Sequence, residues 1–207
     1  MKRRPVEVYV VDDDEAVRRS LCWLIESADH PAIAFPSAKA LLEVFRPEEP
    51  CCVITDVRMP GMGGLDLLSE ILARNDLIPV VVITAHGDIG MAVEAMKRGA
   101  FDFVEKPFDD TALLTVVERA IEESSDRHAN HNHEQDLREY LDSLTPREVQ
   151  VLELIIEGLP NRVVAEKLGI SEKTVEAHRA HIMRKMQAAS FADLVARVVE
   201  GRISQPK

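Results

Sequence analysis

Four short apolar runs in the first half of the chain end in residues that could handle phosphate or a cation. Carboxylates Asp12 and Asp13 follow the first run, Asp56 follows a later one, and Thr84 and Lys106 stand at the ends of two more. Carboxylates that converge without a partner repel one another, so they require a cation, and Mg²⁺ prefers a few carboxylates plus water and phosphate oxygens. The hydroxyl and the ammonium group could then bind a phosphoryl group.

The segments between these groups predict the elements that would bring them together. Apolar runs alternate with amphipathic helical patterns, and the runs are Val6–Val11, Ala32–Phe35, Cys52–Thr55, Val80–Thr84 and Phe101–Val104. Repeated strand, helix, strand units form right-handed crossovers, so they predict an α/β fold with a doubly wound, five-stranded parallel sheet. Ligands bind such sheets outside the carboxyl ends of the strands, where the runs stop.

Each of these polar residues also has an ordinary structural interpretation. An Asp after a strand commonly caps the next helix, a Thr at a strand end is a favoured β-branched residue, and a lone Lys is usually solvated. The functional interpretation depends on the joint occurrence of these residues, because acid, hydroxyl and amine are found at four of the five strand ends, on one edge of the sheet.

The segments VVDDDEAVRRSL, VITDVRMPGMGGLDLL, VVVITAHGD and GAFDFVEKPF resemble the receiver domain of two-component response regulators. The resemblance implies a flavodoxin-like sheet of strand order 2-1-3-4-5. It assigns the following roles: Asp56 as phosphoacceptor; Asp12, Asp13, Asp56 and the backbone carbonyl of Arg58 as Mg²⁺ ligands; Thr84 and Lys106 as phosphoryl-binding residues; and Phe103 as the aromatic residue that changes rotamer on activation.

Charge divides the chain into two dissimilar halves. Met1 to Ser143 carries 15 basic and 28 acidic residues, net −13, whereas Leu144 to Lys207 carries 10 basic and 8 acidic residues, net +2. DNA affinity depends on neutralised phosphates, so only the C-terminal half is expected to bind DNA. The polar stretch SSDRHANHNHEQD predicts a linker. The expected domains are a receiver over 1–123, a partly helical linker over 124–141 and a DNA-binding domain over 142–207.

A helix start signal opens the C-terminal half, where residues 145–148 read Thr-Pro-Arg-Glu. They predict a capping box with Pro at the first helical position, and the apolar face that follows comprises Val149, Leu152 and Ile156. A second helix is expected to begin with Asn161 as its N-cap, and a third follows Ser171. Two helices joined by a Gly-containing turn predict a helix-turn-helix over Asn161–Ala180, with a plain three-helix bundle as the alternative.

The segment LTPREVQVLELIIEGLPNRVVAEKLGISEKTVEAHRAHIMRKM resembles the LuxR-type helix-turn-helix, and the whole chain resembles the FixJ subgroup of response regulators. On a helical wheel, the outward face of the third helix gives the candidate DNA-contacting residues Lys173, Ala177, Ala180 and Arg184, flanked by Thr174, Glu176 and His181. Asn161, at the start of the second helix, is a further candidate. Arg179 falls nearer the buried stripe of its helix, so we expect it to contact a phosphate or a carboxylate rather than a base.

The resemblance implies a phosphorylation-controlled regulator, with Mg²⁺ as its cofactor. It would accept phosphate on Asp56, lose it slowly without acting as a turnover enzyme, and activate transcription. Expected partners are a sensor histidine kinase, double-stranded promoter DNA, RNA polymerase and a second copy of the chain, which pairs through the Asp88–Val104 face on phosphorylation. The sequence has no secretory h-region and no run of membrane-spanning length, so a cytoplasmic location is expected.

Two alternatives remain open at the level of sequence. The first is a haloacid-dehalogenase-type phosphohydrolase with Asp12 as its nucleophile. Against it, Ala16 stands where that motif has Thr or Val, and no segment is left for a substrate cap once the helix-turn-helix is assigned. The second is a phosphate-independent regulator in which the N-terminal domain only dimerises.

Overall fold

The computed structural model describes residues 6–46, 48–85 and 89–203, and only the backbone of 200–203. Within these residues the strands are β1 (Glu7–Val11), β2 (Ala32–Phe35), β3 (Cys51–Asp56), β4 (Val80–Thr84) and β5 (Asp102–Glu105). The helices are α1 (Glu15–Ser27), α2 (Ala38–Val44), α3 (Gly64–Arg74), α4 (Ile89–Lys97), α5 (Asp110–Asp142), α6 (Pro146–Ile156), α7 (Asn161–Leu168), α8 (Glu172–Lys185) and α9 (Phe191–Ile203). None of these helices is long and apolar enough to cross a bilayer.

The five described strands form one sheet in the order β2-β1-β3-β4-β5, and every neighbouring pair is parallel. The predicted fold class and strand order are therefore confirmed. Each strand lies within one residue of the apolar run that predicted it. Because all strands run the same way, the ends of β1, β3, β4 and β5 meet at one edge of the sheet.

Side chains alternate between the two faces of the sheet and build two separate cores. Along β3, Val53 joins the core formed with α2, α3 and α4, whereas Cys52 and Ile54 join the core formed with α1 and α5. Burial on both faces explains why these strands read as continuous apolar runs.

Helix α5 differs from the prediction that residues 124–141 are only partly helical. The helix is continuous from Asp110 to Asp142. This segment contains neither Gly nor Pro, so nothing in it interrupts the backbone hydrogen bonds. Its polar residues also make contacts, since the Ser124 hydroxyl accepts a hydrogen bond from the Cys51 N–H at 3.1 Å. Contacts divide the chain into two units, 1–129 and 130–207, and the division falls inside the predicted linker.

The core of the C-terminal unit is formed by apolar residues of α6, α7, α8 and α9, including Ile155, Val164, Val175, Ile182 and Leu194. The predicted capping box is present, because Thr145 and Glu148 cap each other across the start of α6.

The predicted apolar face of α6 is correct at Leu152 and at the partly buried Ile156, but wrong at Val149. Val149 is 37% exposed, and the buried face comprises Glu148, Val151, Leu152 and Ile155. The reason is Glu148, whose carboxylate reaches back to the N–H of Thr145 and so turns this polar residue inward.

Gly64 at the start of α3 sets how closely this helix approaches the end of β3. A Cβ at position 64 would overlap the backbone carbonyl oxygen of Asp56 and would lie 2.9 Å from its carbon. The Gly64 N–H donates to the carbonyl of Val57 at 3.0 Å. Only a residue without a side chain therefore allows the backbone of Asp56 to keep this position.

We expect Gly64→Ala to push α3 away from β3 and to displace Asp56. The unfolding free energy of the N-terminal unit should fall by about 1–3 kcal/mol, the usual cost of overpacking. Urea unfolding followed through the amide NMR signals of β3 and α3 measures this loss. The control is Ser69→Ala, at an exposed position of the same helix, which should change stability by less than about 0.5 kcal/mol. Equal stability of the two variants would contradict this role of Gly64.

Candidate functional site

Lys106 connects two carboxylates at the carboxyl edge of the sheet. Asp12 follows β1, Asp56 is the last residue of β3, and Lys106 follows β5. The Nζ atom of Lys106 lies 2.8 Å from Oδ1 of Asp56 and 2.9 Å from Oδ2 of Asp12. Two carboxylates that are far apart in the chain therefore converge on one positive charge.

The environment of Lys106 favours the protonated form of its amine. Burial lowers the pKa of Lys106, but hydrogen bonds to Asp56 and Asp12 and the negative charge of both carboxylates raise it, and its pKa lies above the ordinary value. Asp12 is only 2% exposed. The amine thus stays protonated at neutral pH and offsets the repulsion between the carboxylates.

Backbone groups orient both carboxylates. The Arg58 N–H donates to Oδ2 of Asp56 at 2.6 Å, and the Asp14 N–H donates to Oδ1 of Asp12 at 2.8 Å. Arg18 of α1 donates to the carbonyl oxygen of Asp12 at 2.5 Å. Each carboxylate therefore uses one oxygen for Lys106 and the other for a backbone amide.

The other residues predicted for this site are distributed around the pair. Thr84 ends β4 and is fully buried, and its carbonyl accepts from the N–H of Lys106 at 2.7 Å. Phe103 on β5 is partly buried and packs against the core shared with α3 and α4. Asp13 is exposed. Among the described residues, no three acidic, His or Cys side chains lie close enough to hold a metal ion together.

Two contributors to this site were not predicted. Gly64 was missed although GG follows the strand in the sequence, and this pair of glycines is the signal of a close backbone approach. Arg18 was missed because nothing in the sequence shows that a helical arginine bends back to the carbonyl of Asp12.

The second candidate site is the exposed face of α8 in the C-terminal unit. Helices α7 and α8 are joined through Gly169, whose φ of 64° requires the left-handed region that glycine adopts readily. Val175 and Ile182 are fully buried, so α8 packs on the core along one stripe. All of the predicted contact residues of α8 are exposed, namely Lys173, Thr174, Glu176, Ala177, Ala180, His181 and Arg184.

Asn161 differs from its predicted role as an N-cap. Pro160 is the N-cap of α7, and Asn161 is the first residue of the helix. Its side-chain oxygen accepts a hydrogen bond from Arg179 of α8 at 3.3 Å. The guanidinium carbon of Arg179 also lies 5.2 Å from the ring centroid of Phe191 in α9. Arg179 therefore contacts an amide and an aromatic ring, where we expected a phosphate or a carboxylate.

Buried Glu148 and half-buried Lys185 form an ion pair that the sequence did not predict. Lys185 ends α8, and its Nζ lies 2.7 Å from Oε2 of Glu148 and 2.8 Å from the carbonyl oxygen of Ser143. The hydrogen bond from Lys185, supported by those from Thr145, lowers the pKa of Glu148 to about 2 against the opposing effect of burial. The pair attaches the end of α8 to the start of α6.

The parallel sheet with its acidic edge and the helical unit with an exposed α8 define a receiver domain followed by a helix-turn-helix. Residues 8–118 match the family model of the response regulator receiver domain, and residues 142–198 match that of the bacterial regulatory proteins of the luxR family. The chain belongs to the response regulators that carry a LuxR-type DNA-binding domain.

Individual relatives extend this likeness over most of the chain. The chain is 46% identical over 188 residues to the transcriptional regulatory protein FixJ of Azorhizobium caulinodans, which covers 91% of this chain and 89% of that one. The response regulator StyR is similar in structure, with a TM-score of 0.89, 44% identity and coverage of 95% and 100%. Full-length FixJ from B. japonicum is similar with a TM-score of 0.58, 40% identity and coverage of 97% and 98%.

The ion pair of Glu148 makes the stability of the C-terminal unit depend on pH. The pKa of Glu148 is about 2 in the folded chain and near its ordinary value of 4.5 in the unfolded chain. Its contribution is therefore complete above pH 4.5 and is lost as the pH falls towards 2. We expect Glu148→Gln to remove this part of the pH dependence and to cost roughly 2–3 kcal/mol at pH 7.

Urea unfolding at a series of pH values, followed through the amide NMR signals of α6 and α8, measures this effect. Glu153→Gln, at an exposed position of the same helix, is the matched control and should keep the wild-type profile. Parallel pH profiles for wild type and Glu148→Gln would show that the ion pair does not stabilise the unit.

Proposed function

We propose that this response regulator accepts a phosphoryl group on Asp56 from a sensor histidine kinase, pairs with a second copy when phosphorylated, and then binds promoter DNA to activate transcription with RNA polymerase. The observation that carries the proposal is the convergence of Asp56 and Asp12 on Lys106, within 2.8 and 2.9 Å of its Nζ. A carboxylate held beside a fixed ammonium group at a sheet edge is suited to accept a phosphoryl group.

The transfer uses groups already aligned at the end of β3. A carboxylate oxygen of Asp56 attacks the phosphorus of the phosphohistidine, the P–N bond breaks, and the imidazole leaves with the electron pair. Lys106 then donates to a phosphoryl oxygen, and the hydroxyl of Thr84 is proposed to donate to another. Water slowly hydrolyses the acyl phosphate, so the modification is transient and the chain turns over no substrate.

The acidic residues of this edge fit a divalent cation in donor chemistry. The carboxylates of Asp12 and Asp56 already converge on one positive charge, and Asp13 stands next to Asp12. We assign Asp12, Asp13, Asp56 and the carbonyl of Arg58 as the residues that would hold Mg²⁺, since hard cations prefer oxygen ligands. When bound, Mg²⁺ would offset negative charge on the transferred group.

Pairing of receiver domains is proposed to use the segment from Asp88 to Val104. Asp88 lies outside the described residues. In the described part of the segment, α4 exposes three large apolar side chains, with Ile89 at 85%, Val93 at 45% and Met96 at 49%. Their spacing of four and three residues places them on one face of the helix, which supports a contact surface for a second copy. Rotation of Phe103 on the adjoining β5 is the proposed link to the phosphorylated site.

DNA binding is proposed to use α8 and its flanks. Ala177 and Ala180 are small and exposed, so the helix can approach base edges closely, and an alanine methyl can contact a thymine methyl. Lys173 and Arg184 supply positive charge on the same exposed helix. Paired copies would add the contacts of two half-sites about 34 Å apart.

Incubation with Mg²⁺ and acetyl phosphate should add one phosphoryl group to the wild-type chain and none to Asp56→Asn. Sedimentation velocity should show a doubled mass only for the phosphorylated wild type. Asp76→Asn, which makes the same change at an exposed acid away from the site, is the control and should behave as wild type. Val93→Asp should accept phosphate and remain monomeric, because it places a charge on the proposed contact surface.

Each part of the proposal can fail separately in this experiment. Phosphate uptake by Asp56→Asn would exclude Asp56 as the acceptor. Normal uptake with an unchanged mass would exclude pairing as its consequence. Turnover of a small phosphoester that Asp12→Asn abolishes and Asp56→Asn retains would favour the phosphohydrolase alternative.

For DNA binding, the sharpest variant is Ala180→Glu. It adds both bulk and negative charge to the exposed face of α8. With all chains phosphorylated by acetyl phosphate, affinity for a duplex selected from a random pool by the wild-type chain should fall at least tenfold. Ala196→Glu changes the same charge at an exposed alanine of α9 and should retain binding within about twofold. Equal losses in the two variants, measured by fluorescence anisotropy, would mean that net charge and not the α8 face determines affinity.

A further inference from the structure

Arg179 stands apart from the other basic residues of the helix-turn-helix. Lys173 and Arg184 of α8 are exposed, whereas Arg179 is half-buried. Its guanidinium group donates to Oδ1 of Asn161 at 3.3 Å and lies over the ring of Phe191, with 5.2 Å from its carbon to the ring centroid. One edge and one face of the planar group are thus occupied by protein.

Within the described residues, no carboxylate lies within ion-pair distance of Arg179. Its contacts depend instead on the shape and donors of the guanidinium group: the flat face packs on an aromatic ring, and an N–H reaches an amide oxygen. A lysine ammonium could not make both contacts in this geometry. The choice of arginine is therefore explained by contacts inside the unit.

The two partners of Arg179 lie at the beginnings of two other helices. Asn161 is the first residue of α7, and Phe191 is the first residue of α9. A single side chain from the middle of α8 consequently connects three helices. Successive residues of an α-helix lie 100° apart around its axis. A rotation of α8 about this axis by a fraction of that angle would therefore turn Ala177 and Ala180 away from their outward positions.

Arg179 also determines how the amide of Asn161 is oriented. Arginine is only a donor, so the group of Asn161 that faces it must be the oxygen. The NH₂ group of Asn161 is then directed to the other side of the amide and can donate to an acceptor such as a DNA phosphate.

We propose that Arg179 is a positioning residue for sequence recognition: it sets the rotation of α8 and the amide orientation of Asn161, and it does not itself neutralise a DNA phosphate. This inference rests on the proposed DNA binding by α8. It accounts for a half-buried basic residue of α8 whose two partners are the first residues of two other helices.

The test separates positioning from a direct phosphate contact. All chains are first phosphorylated with Mg²⁺ and acetyl phosphate, since the proposed DNA binding follows phosphorylation. The probes are a duplex selected from a random pool by the wild-type chain and a scrambled duplex of the same length and composition. For each variant, the dissociation constants of both duplexes are measured over a range of salt concentrations. Their ratio reports specificity, and the dependence of log K on log salt reports phosphate contacts, with a slope of about 0.9 per phosphate neutralised.

Arg179→Lys should reduce the specificity ratio about tenfold and leave the salt slope and the affinity for the scrambled duplex unchanged. Phe191→Leu, which removes the ring but alters no charge, should produce the same pattern. Because both substitutions break one arrangement, the double variant should lose little more than either single one. Arg197→Lys is the matched control, since this arginine pairs with Asp193 in α9, and it should behave as wild type.

A direct phosphate contact would give the opposite pattern. Arg179→Lys would then retain both affinities, and Arg179→Met would lower the salt slope by about 0.9 and weaken both duplexes equally. That result, or an unchanged specificity ratio in a folded Phe191→Leu variant, would overturn the proposal. Failure of the phosphorylated wild-type chain to select any duplex would instead overturn DNA binding by α8, so the two failures are distinguishable.

Discussion

An ammonium group between two carboxylates is the interaction on which the N-terminal unit depends. Asp12, Asp56 and Lys106 come from the ends of three different strands, and each carboxylate also accepts one backbone N–H. Without Lys106 the two negative charges would repel each other in a partly buried site. Parallel strands make the arrangement possible because their carboxyl ends lie at the same edge, and Gly64 allows α3 to pack closely behind Asp56.

The C-terminal unit uses charge in a related way, since its charged side chains bind the ends of helices. Arg147 donates to the carbonyl oxygen of Leu168 at the end of α7, and Lys185 at the end of α8 pairs with Glu148. In our proposal Arg179 completes this set at the beginnings of α7 and α9. The outward face of α8 is left with small, polar and charged residues, and small side chains suit the close approach to bases that we propose for it.

Prediction from the sequence succeeded where a residue pattern is typical of one structure. It failed where the structure depends on contacts with residues elsewhere in the chain. Continuous apolar runs led to the strands within one residue, and Thr145–Glu148 led to the capping box. Polar composition wrongly suggested a partly helical segment over 124–141, because exposed polar residues occur equally in helices and linkers. The apolar face of α6 was misplaced at Val149, because a buried glutamate at position 148 is not expected without knowledge of its partner, Lys185.

The sequence by itself determined the class of fold, the order of the strands through family resemblance, and the acid, hydroxyl and amine at the strand ends. The elements and the residue types follow from local periodicity and composition, which can be read without knowledge of tertiary contacts. Only the tertiary structure decided that Lys106 lies between Asp12 and Asp56, and that Arg179 contacts Asn161 and Phe191. Such contacts join residues separated by 12 to 94 positions, and their geometry depends on how whole helices and strands pack.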